Sequence, residues 1–511
     1  MCAGALLAKS GLKVTVLESH VVPGGAAHAW ERDGYTFESG PSLYSGLGKR
    51  PTTNPCGQVL HAIDEDVECA EYNTWMCHLP EGTFLTEIGN DQFLECLREY
   101  VDEDAVEEWR RLKTLMEPLA TASAALPPAA VRSDAFGAYT LARFVPGLVR
   151  SAPYIPKIMA PYSKFMDEND IRHPFIRNYM EMLCFLLSGA PASGTMAAEI
   201  GYMFDDWYKP NSMLEFPKGG SGAIVDALVR GVEKFGGELR LGTHVEEILV
   251  EGEGDEKRAV GVRARGGETF MASKAVISNA TLWDTVLMLP RDAMPREWID
   301  EATSTAMCES FMHLHLGIDA ADLPDDLEIH HIYVEDWNRG VTAEQNMVLI
   351  SIPSVLDPSM APAGKHVIHA YTPGNEPLDI WDGLDRNSDE YKALKEERSR
   401  VLWRAVEKVI PDVRQRAEIT MVGTPVTQQR FLRRARGTYG GTGWISEDQD
   451  TIPITSASTP LDGFLVVGDS NFPGPGVPAV AAGGWSAANE LIGPRQTAAL
   501  LDKVCPPGTS K

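Results

Sequence analysis

The sequence predicts an α/β protein in which a discontinuous Rossmann-like domain is joined to a mixed α+β domain. Three observations carry this expectation. Residues 3–18 read as helix, glycine, strand and acid. Residues 216–280 repeat a glycine-rich turn, a helix and several strands. Residues 464–492 give a strand, a turn dense in glycine and proline, and a long helix. At 511 residues the chain exceeds what one simple core holds, so two domains are expected.

Bulk composition removes several function classes. With 72 acidic against 46 basic residues the net charge is −26, a surface that repels nucleic acid, and no nucleic-acid partner is expected. The 8 cysteines include no C-x-x-C pair, which suits a reducing compartment and argues against a disulfide scaffold or zinc ribbon. No uninterrupted apolar run reaches ~18 residues, so nothing is expected to span a bilayer. The start, Met1 to Gly11, has no basic residue ahead of its apolar part and runs straight into a strand. It reads as the body of a helix rather than a secretory signal.

In the first block, Ala3 to Lys9 has a helical pattern closed by Ser10 and Gly11, where glycine supplies the left-handed cap. Leu12 to Leu17 is a strand ending at Glu18. This order is the second half of a dinucleotide-binding βαβ unit, in which the acid accepts hydrogen bonds from a ribose diol roughly 20 residues after a glycine-rich turn. Counting back from Glu18 passes Met1, so the first strand and its G-x-G-x-x-G turn are expected upstream, leaving this unit truncated. The bland reading is that Glu18 ends a surface strand. Pro23-Gly24-Gly25 follows, and paired glycines let backbone approach a pyrophosphate closely. A hairpin over 31–37 and the turn Ser39-Gly40-Pro41-Ser42 would return the chain towards the cofactor.

On these residues, G-G-x followed by G-Y-x-F-x-x-G-x-S, the chain resembles the FAD-dependent carotenoid isomerase, phytoene desaturase and retinol saturase superfamily. The resemblance implies FAD as cofactor, with Glu18, Ser19, Gly24, Gly25 and Ser42 among its contacts. Many members carry Arg after the two glycines to meet the diphosphate, whereas this chain has Ala26.

The second block runs from Phe216 through Gly219, Gly220, Ser221 and Gly222 into a helix over Ala223 to Phe235, stopped by Gly236-Gly237. A strand at Leu239 to Leu241 and a meander follow: Val245 to Val250, Ala259 to Ala264 and Thr269 to Ser278. By resemblance the backbone of Val245 lies against the adenine. The run Val276 to Asp284 is similar to a carotenoid isomerase signature and brings Asn279 into the cofactor set. In the third block the strand Phe464 to Val467 leads to Gly468, Asp469 and then Gly474-Pro475-Gly476-Val477-Pro478-Ala479 at the start of a helix to about Ile492. No second strand with a terminal acid follows, which excludes a separate NAD site. The resemblance implies that Asp469 serves the ribityl–phosphate region and that Gly476, Val477, Pro478 and Ala479 face the flavin pyrimidine ring. A helix N-terminus there favours the anionic reduced flavin.

The expected division assigns residues 1–50, 216–300 and 455–495 to FAD binding, and 51–215 and 301–454 to a substrate domain. Trp109, Leu112, Met116 and Leu119 mark an amphipathic helix, and Asn178 to Leu187 a buried one. Residues 135–166 carry Arg143, Arg150, Lys157 and Lys164, no acid, and several aromatic and aliphatic side chains cut by prolines. This stretch reads either as a segment that dips into a membrane surface or as a basic face of the substrate domain. His313 and His315 share a strand face, as a pocket floor or a polar sheet face; with no Cys or carboxylate cluster beside them, no metal site is expected. Gly219 to Ala223 is not a G-x-S-x-G nucleophile turn. Arg436 to Gly440 is similar to a motif of the isomerase branch, with Tyr439 and Trp444 either flanking an apolar tunnel or simply packing.

The resemblance implies flavin-dependent cis-to-trans isomerisation of a carotenoid or similar polyene, in a plastid setting. Desaturase, saturase or hydratase-like chemistry and a flavin-free polyene-binding relative are the alternatives. No catalytic side chain is assigned.

Overall fold

The computed structural model describes residues 1–40, 43–441 and 456–506. Parallel strands flanked by helices, and a large mixed sheet, make the α/β class. The first helix, Cys2–Lys9, is tightly enclosed: a Cβ on Gly4 would lie 3.0 Å from Val16 Cγ2, and one on Gly484 would lie 2.8 Å from Cys2 Cβ. Small residues thus let this helix press against both its own strand and the Val477–Leu491 helix. Gly11, at φ +87°, turns the chain into strand Thr15–Leu17, which pairs in parallel with Glu238–Arg240. A second parallel pair joins Val276–Ser278 to Phe464–Val466. The expected strand over 269–278 is therefore two strands: Thr269–Met271 stays in the antiparallel meander with Arg258–Ala264 and Val245–Glu251, while Val276–Ser278 leaves it.

The second large unit is a seven-stranded sheet in the order Ala417–Gly423, His313–Asp319, Lys365–Tyr371, Met347–Ser351, His330–Val334, Thr74–Leu79, Gly82–Glu87. Its pairs are antiparallel except His330–Val334 with Thr74–Leu79. Strict alternation splits its residues between two cores. Leu314, Leu316, Ile318, Ile350 and Ile368 pack under helix Asp389–Val409. The opposite face joins the largest core, with Phe37, Trp75, Leu349 and Val367. The expected helices lie in that core too: Glu103–Ser123 buries Trp109, Leu112, Met116 and Leu119, and Pro174–Ser188 ends at Gly189 in the left-handed region. Residues 137–158 form only short helical turns punctuated by prolines. No helix among the described residues is long and apolar enough to cross a membrane.

Candidate cofactor site

Glu18 directly follows its strand, with its N–H donating to the Arg240 carbonyl at 2.9 Å. Its carboxylate closes a local turn, accepting from the His20 N–H at 2.7 Å and from Ser19 Oγ at 3.4 Å. Gly24 has φ +116°, and a Cβ there would meet Val225 Cγ2 at 2.8 Å and the His28 backbone at 3.1 Å, so only glycine packs the loop onto helix Ser221–Lys234. Gly25 differs: φ is +56° and a Cβ would meet nothing within 4 Å. Gly474 and Gly476, at φ +116° and +100°, are equally open. Gly476 precedes helix Val477–Leu491, whose first turn contains Val477, Pro478 and Ala479 and no acid. Amide N–H groups of such a turn favour an anionic neighbour.

Asn279 is exposed just beyond Val276–Ser278, with its Oδ1 3.2 Å from where a Cβ on Gly468 would lie. Val245 begins its strand and pairs with Ala264. Ser42 and Trp444 lie outside the described residues. Asp469 is ion-paired: its Oδ2 accepts from Arg434 Nη1 at 2.7 Å. Arg434 also donates through Nε to the Thr438 carbonyl at 2.9 Å, while its buried Nη2 has no hydrogen-bond partner among the described residues. The sequence reading missed Arg434. The only hint is the basic run 433–436 beside the flagged Arg436–Gly440 motif, which carries no information about what it meets.

Glu38 was also missed, although it lies inside a flagged motif. Its buried carboxylate accepts from the Ser221 N–H at 2.6 Å, at the start of helix Ser221–Lys234. Burial raises it to about 7, against the opposing pull of that hydrogen bond. Beyond it the hairpin Ala29–Arg32 and Tyr35–Glu38 lays Trp30 and Phe37 edge-on against His315, at ring-centroid distances of 5.0 and 6.0 Å. His313 and His315 share a face as expected, their rings 5.7 Å apart and nearly parallel. A third imidazole, His369, stacks 4.4 Å from His315 and no sequence spacing linked it to them. Tyr439 packs on Phe311 at 4.7 Å, and burial pushes its hydroxyl up to about 12.

These residues fit FAD. Open glycines at 25, 474 and 476 leave room for backbone to approach a phosphate, and an acid-free helix N-terminus and a buried guanidinium nitrogen without a partner complement negative charge. The fold and site thus describe a flavoprotein with an aromatic, imidazole-lined wall beside its cofactor region. The chain belongs to the flavin containing amine oxidoreductase family, which it matches over residues 1–492, and it is an FAD-dependent enzyme of that family. It is 30% identical to the chloroplastic prolycopene isomerase of Arabidopsis thaliana, over 98% of this chain and 83% of that protein. It is 25% identical to the neurosporene-forming phytoene desaturase of Rhodobacter capsulatus, over 96% and 91% of the two chains. An oxidoreductase structure from Methanosarcina mazei shares the fold at a TM-score of 0.57 and 16% identity, covering 94% of this chain and 96% of that one.

Proposed function

We propose that this protein isomerises a cis double bond of a carotenoid or similar polyene to trans, with no net redox change. The observation that carries this reading is the 30% identity to a prolycopene isomerase over 98% of the chain. When bound, FAD supplies reversible electron or hydride transfer, which lets a polyene double bond weaken, rotate and re-form. The chain's own residues bind, orient and exclude water. Glu18, with Ser19 beside it, holds the ribose diol; Gly24 and Gly25 admit the diphosphate; the Val245 backbone and Asn279 line the nucleotide. Gly468 and Asp469 serve the ribityl–phosphate region, and the turn Gly476 to Ala479 faces the flavin pyrimidine ring. Residues 1–50, 216–300 and 455–495 make the cofactor domain in this reading, and 51–215 with 301–454 the substrate domain. The aromatic face around Trp30, Phe37 and Phe311 supplies apolar contact to the polyene.

The test is anaerobic incubation of the FAD-loaded protein, once with the flavin reduced and once with it oxidised, with a poly-cis carotene and separately with its hydroxylated counterpart, followed by chromatography and mass analysis. Trans product of unchanged mass supports isomerisation. Product lacking two hydrogens would make the protein a desaturase, product with two added a saturase, and product heavier by one water a hydratase. Carotene and hydroxycarotene both unaltered with flavin bound would leave a polyene-binding relative.

A separate observation supports a peripheral membrane location in this reading. Phe136, Tyr139 and Val149 are 55%, 65% and 67% exposed, in a stretch whose titratable side chains include four bases and no acid between 135 and 166. Arg143 is ion-paired to Asp502 at 2.6 Å, which leaves Arg150 and Lys157 as the more available cations. Apolar side chains beside cations suit insertion among anionic headgroups. The chloroplast named for the Arabidopsis relative supports a plastid setting.

A further inference from the structure

Across four adjacent strands of the seven-stranded sheet, His330 lies opposite Ser351, Ser351 opposite His369, and His369 opposite His315. Residues directly opposite share a face, so this is one transverse polar row. All four are buried, and the next row on that face is apolar at Leu349 and Ile332. His313 extends the row along its own strand, its Nδ1 2.8 Å from His369 Nε2. At the other end His330 Nε2 lies 2.9 Å from the Tyr72 hydroxyl. Between these ends, Ser351 Oγ, His315 Nδ1 and His313 Nε2 are buried and have no hydrogen-bond partner among the described residues. Buried polar atoms are rarely left unpaired. Here two lie on strand His313–Asp319 and one on Met347–Ser351, with His369 on the strand between them, and together they mark a polar row suited to a ligand's polar group.

The chemistry of the row restricts that group. Burial keeps the imidazoles of His313, His315 and His369 neutral, pushing His313 down to about 3 and the other two well below the ordinary imidazole value. Each neutral ring has one N–H and one bare nitrogen, the complement of a hydroxyl, or of a carbonyl on the donor side. A carboxylate or phosphate would be buried here with no cation in the row to balance it. A metal ion is disfavoured by orientation. Nitrogens of the three histidines lie within 4.8 Å of one another, but the ring planes are within 7°, 10° and 13° of parallel. In-plane lone pairs of parallel rings do not converge on one point, as tetrahedral coordination requires. We infer that this row binds an oxygen function, hydroxyl or carbonyl, on the polyene, so that the site selects oxygen-bearing polyenes over hydrocarbons. This rests on the polyene reading above and specifies its substrate class.

The experiment is a quenching titration of the FAD-loaded protein in detergent with a carotene hydrocarbon and its monohydroxy counterpart of identical chromophore. The wild type is expected to bind the alcohol at least about tenfold more tightly, because an unpaired polar site penalises the ligand that lacks the group. Ser351→Ala and His315→Phe should bring the two ligands to parity by weakening the alcohol alone. Ser351→Ala removes an unpaired buried hydroxyl and is expected to leave the melting temperature of the polyene-free protein unchanged or higher, so lost selectivity in it is not misfolding. Equal affinities in the wild type overturn the inference while leaving the polyene reading standing. Failure of both ligands to bind overturns both. Loss of FAD from a folded Ser351→Ala protein would assign these atoms to the cofactor instead. Stoichiometric zinc or iron in the purified wild type, absent from His369→Ala, would assign them to a cation; either result overturns the inference.

Discussion

Arg434 donates to Asp469 at 2.7 Å, linking the segment before Gly440 to the glycine turn after strand Phe464–Val466. Gly440 is where the two segments touch: a Cβ there would lie 2.5 Å from Asp469 Oδ2 and 2.8 Å from Arg434 Nη2. The pair therefore sets the position of the carboxylate and leaves the second guanidinium nitrogen, Nη2, without a hydrogen-bond partner among the described residues.

Breaking this pair should be felt at the cofactor before it is felt in the fold. Asp469→Asn is expected to weaken FAD binding by about 10–100-fold, the loss of one charge-assisted hydrogen bond of roughly 1.5–3 kcal/mol. Flavin fluorescence titration reads it. Unchanged affinity would mean that Asp469 only anchors Arg434.

Gly25 and Gly476 separate backbone strain from occupancy. Both have positive φ, and beyond each the space for a Cβ is open. Gly25→Ala is expected to cost about 1–2 kcal/mol of stability from the left-handed backbone. FAD affinity should fall further than that, by at least about tenfold beyond the strain, since the new methyl intrudes on the phosphate approach. Thermal melts and FAD titrations on the same preparation distinguish the two effects.

Glu38 makes stability depend on pH in a stated direction. Its carboxyl is raised by burial from 4.5 to about 7, so the folded state holds its proton where the unfolded state has lost it. The stability it contributes is complete below about 4.5 and is lost as pH rises through about 7. Glu38→Gln keeps an acceptor for the Ser221 N–H and does not titrate. The variant should therefore gain on the wild type between pH 5 and 8, by an amount on the order of 2 kcal/mol. Parallel melting curves across that range would refute the assignment.

At the exposed apolar stretch, Tyr139→Ser with Val149→Asp is expected to lower co-sedimentation with anionic phospholipid vesicles several-fold. Stability should move by no more than ~0.5 kcal/mol, as at other surface sites. Raised salt should weaken the wild type's binding through its cations. Undiminished binding of the double variant would place the membrane contact elsewhere.

Several single elements were legible because their signals are local. Gly11 and Gly24 announce backbone conformations only glycine tolerates, and the amphipathic period of 103–123 shows which side of that helix is buried. The split of 269–278 into two strands was not legible. Both pieces have strand-like composition, and only the distant partner Phe464–Val466 decides where the second one goes. The same limit hid His369 and Ser351: their meeting with His315 is a matter of strand register across the sheet. Arg434 was hidden differently, since a charged residue in a basic run looks solvated until its partner is known. Ser42 and Trp444 lie outside the described residues.

The order of strands in the seven-stranded sheet also governs how the protein is made. Strand Thr74–Leu79 pairs at once with Gly82–Glu87, but its other neighbour is His330–Val334, and His78 contacts His331, 253 positions later. The edge strand Ala417–Gly423 comes later still. On the ribosome, at about 5–20 residues per second, the early hairpin waits many seconds with one edge unpaired. Such non-local pairing is slow to form and exposes aggregation-prone edges meanwhile. The yield of native enzyme from a cell should therefore depend on slow synthesis, lowered temperature and chaperone capacity more than on the stability of the finished fold.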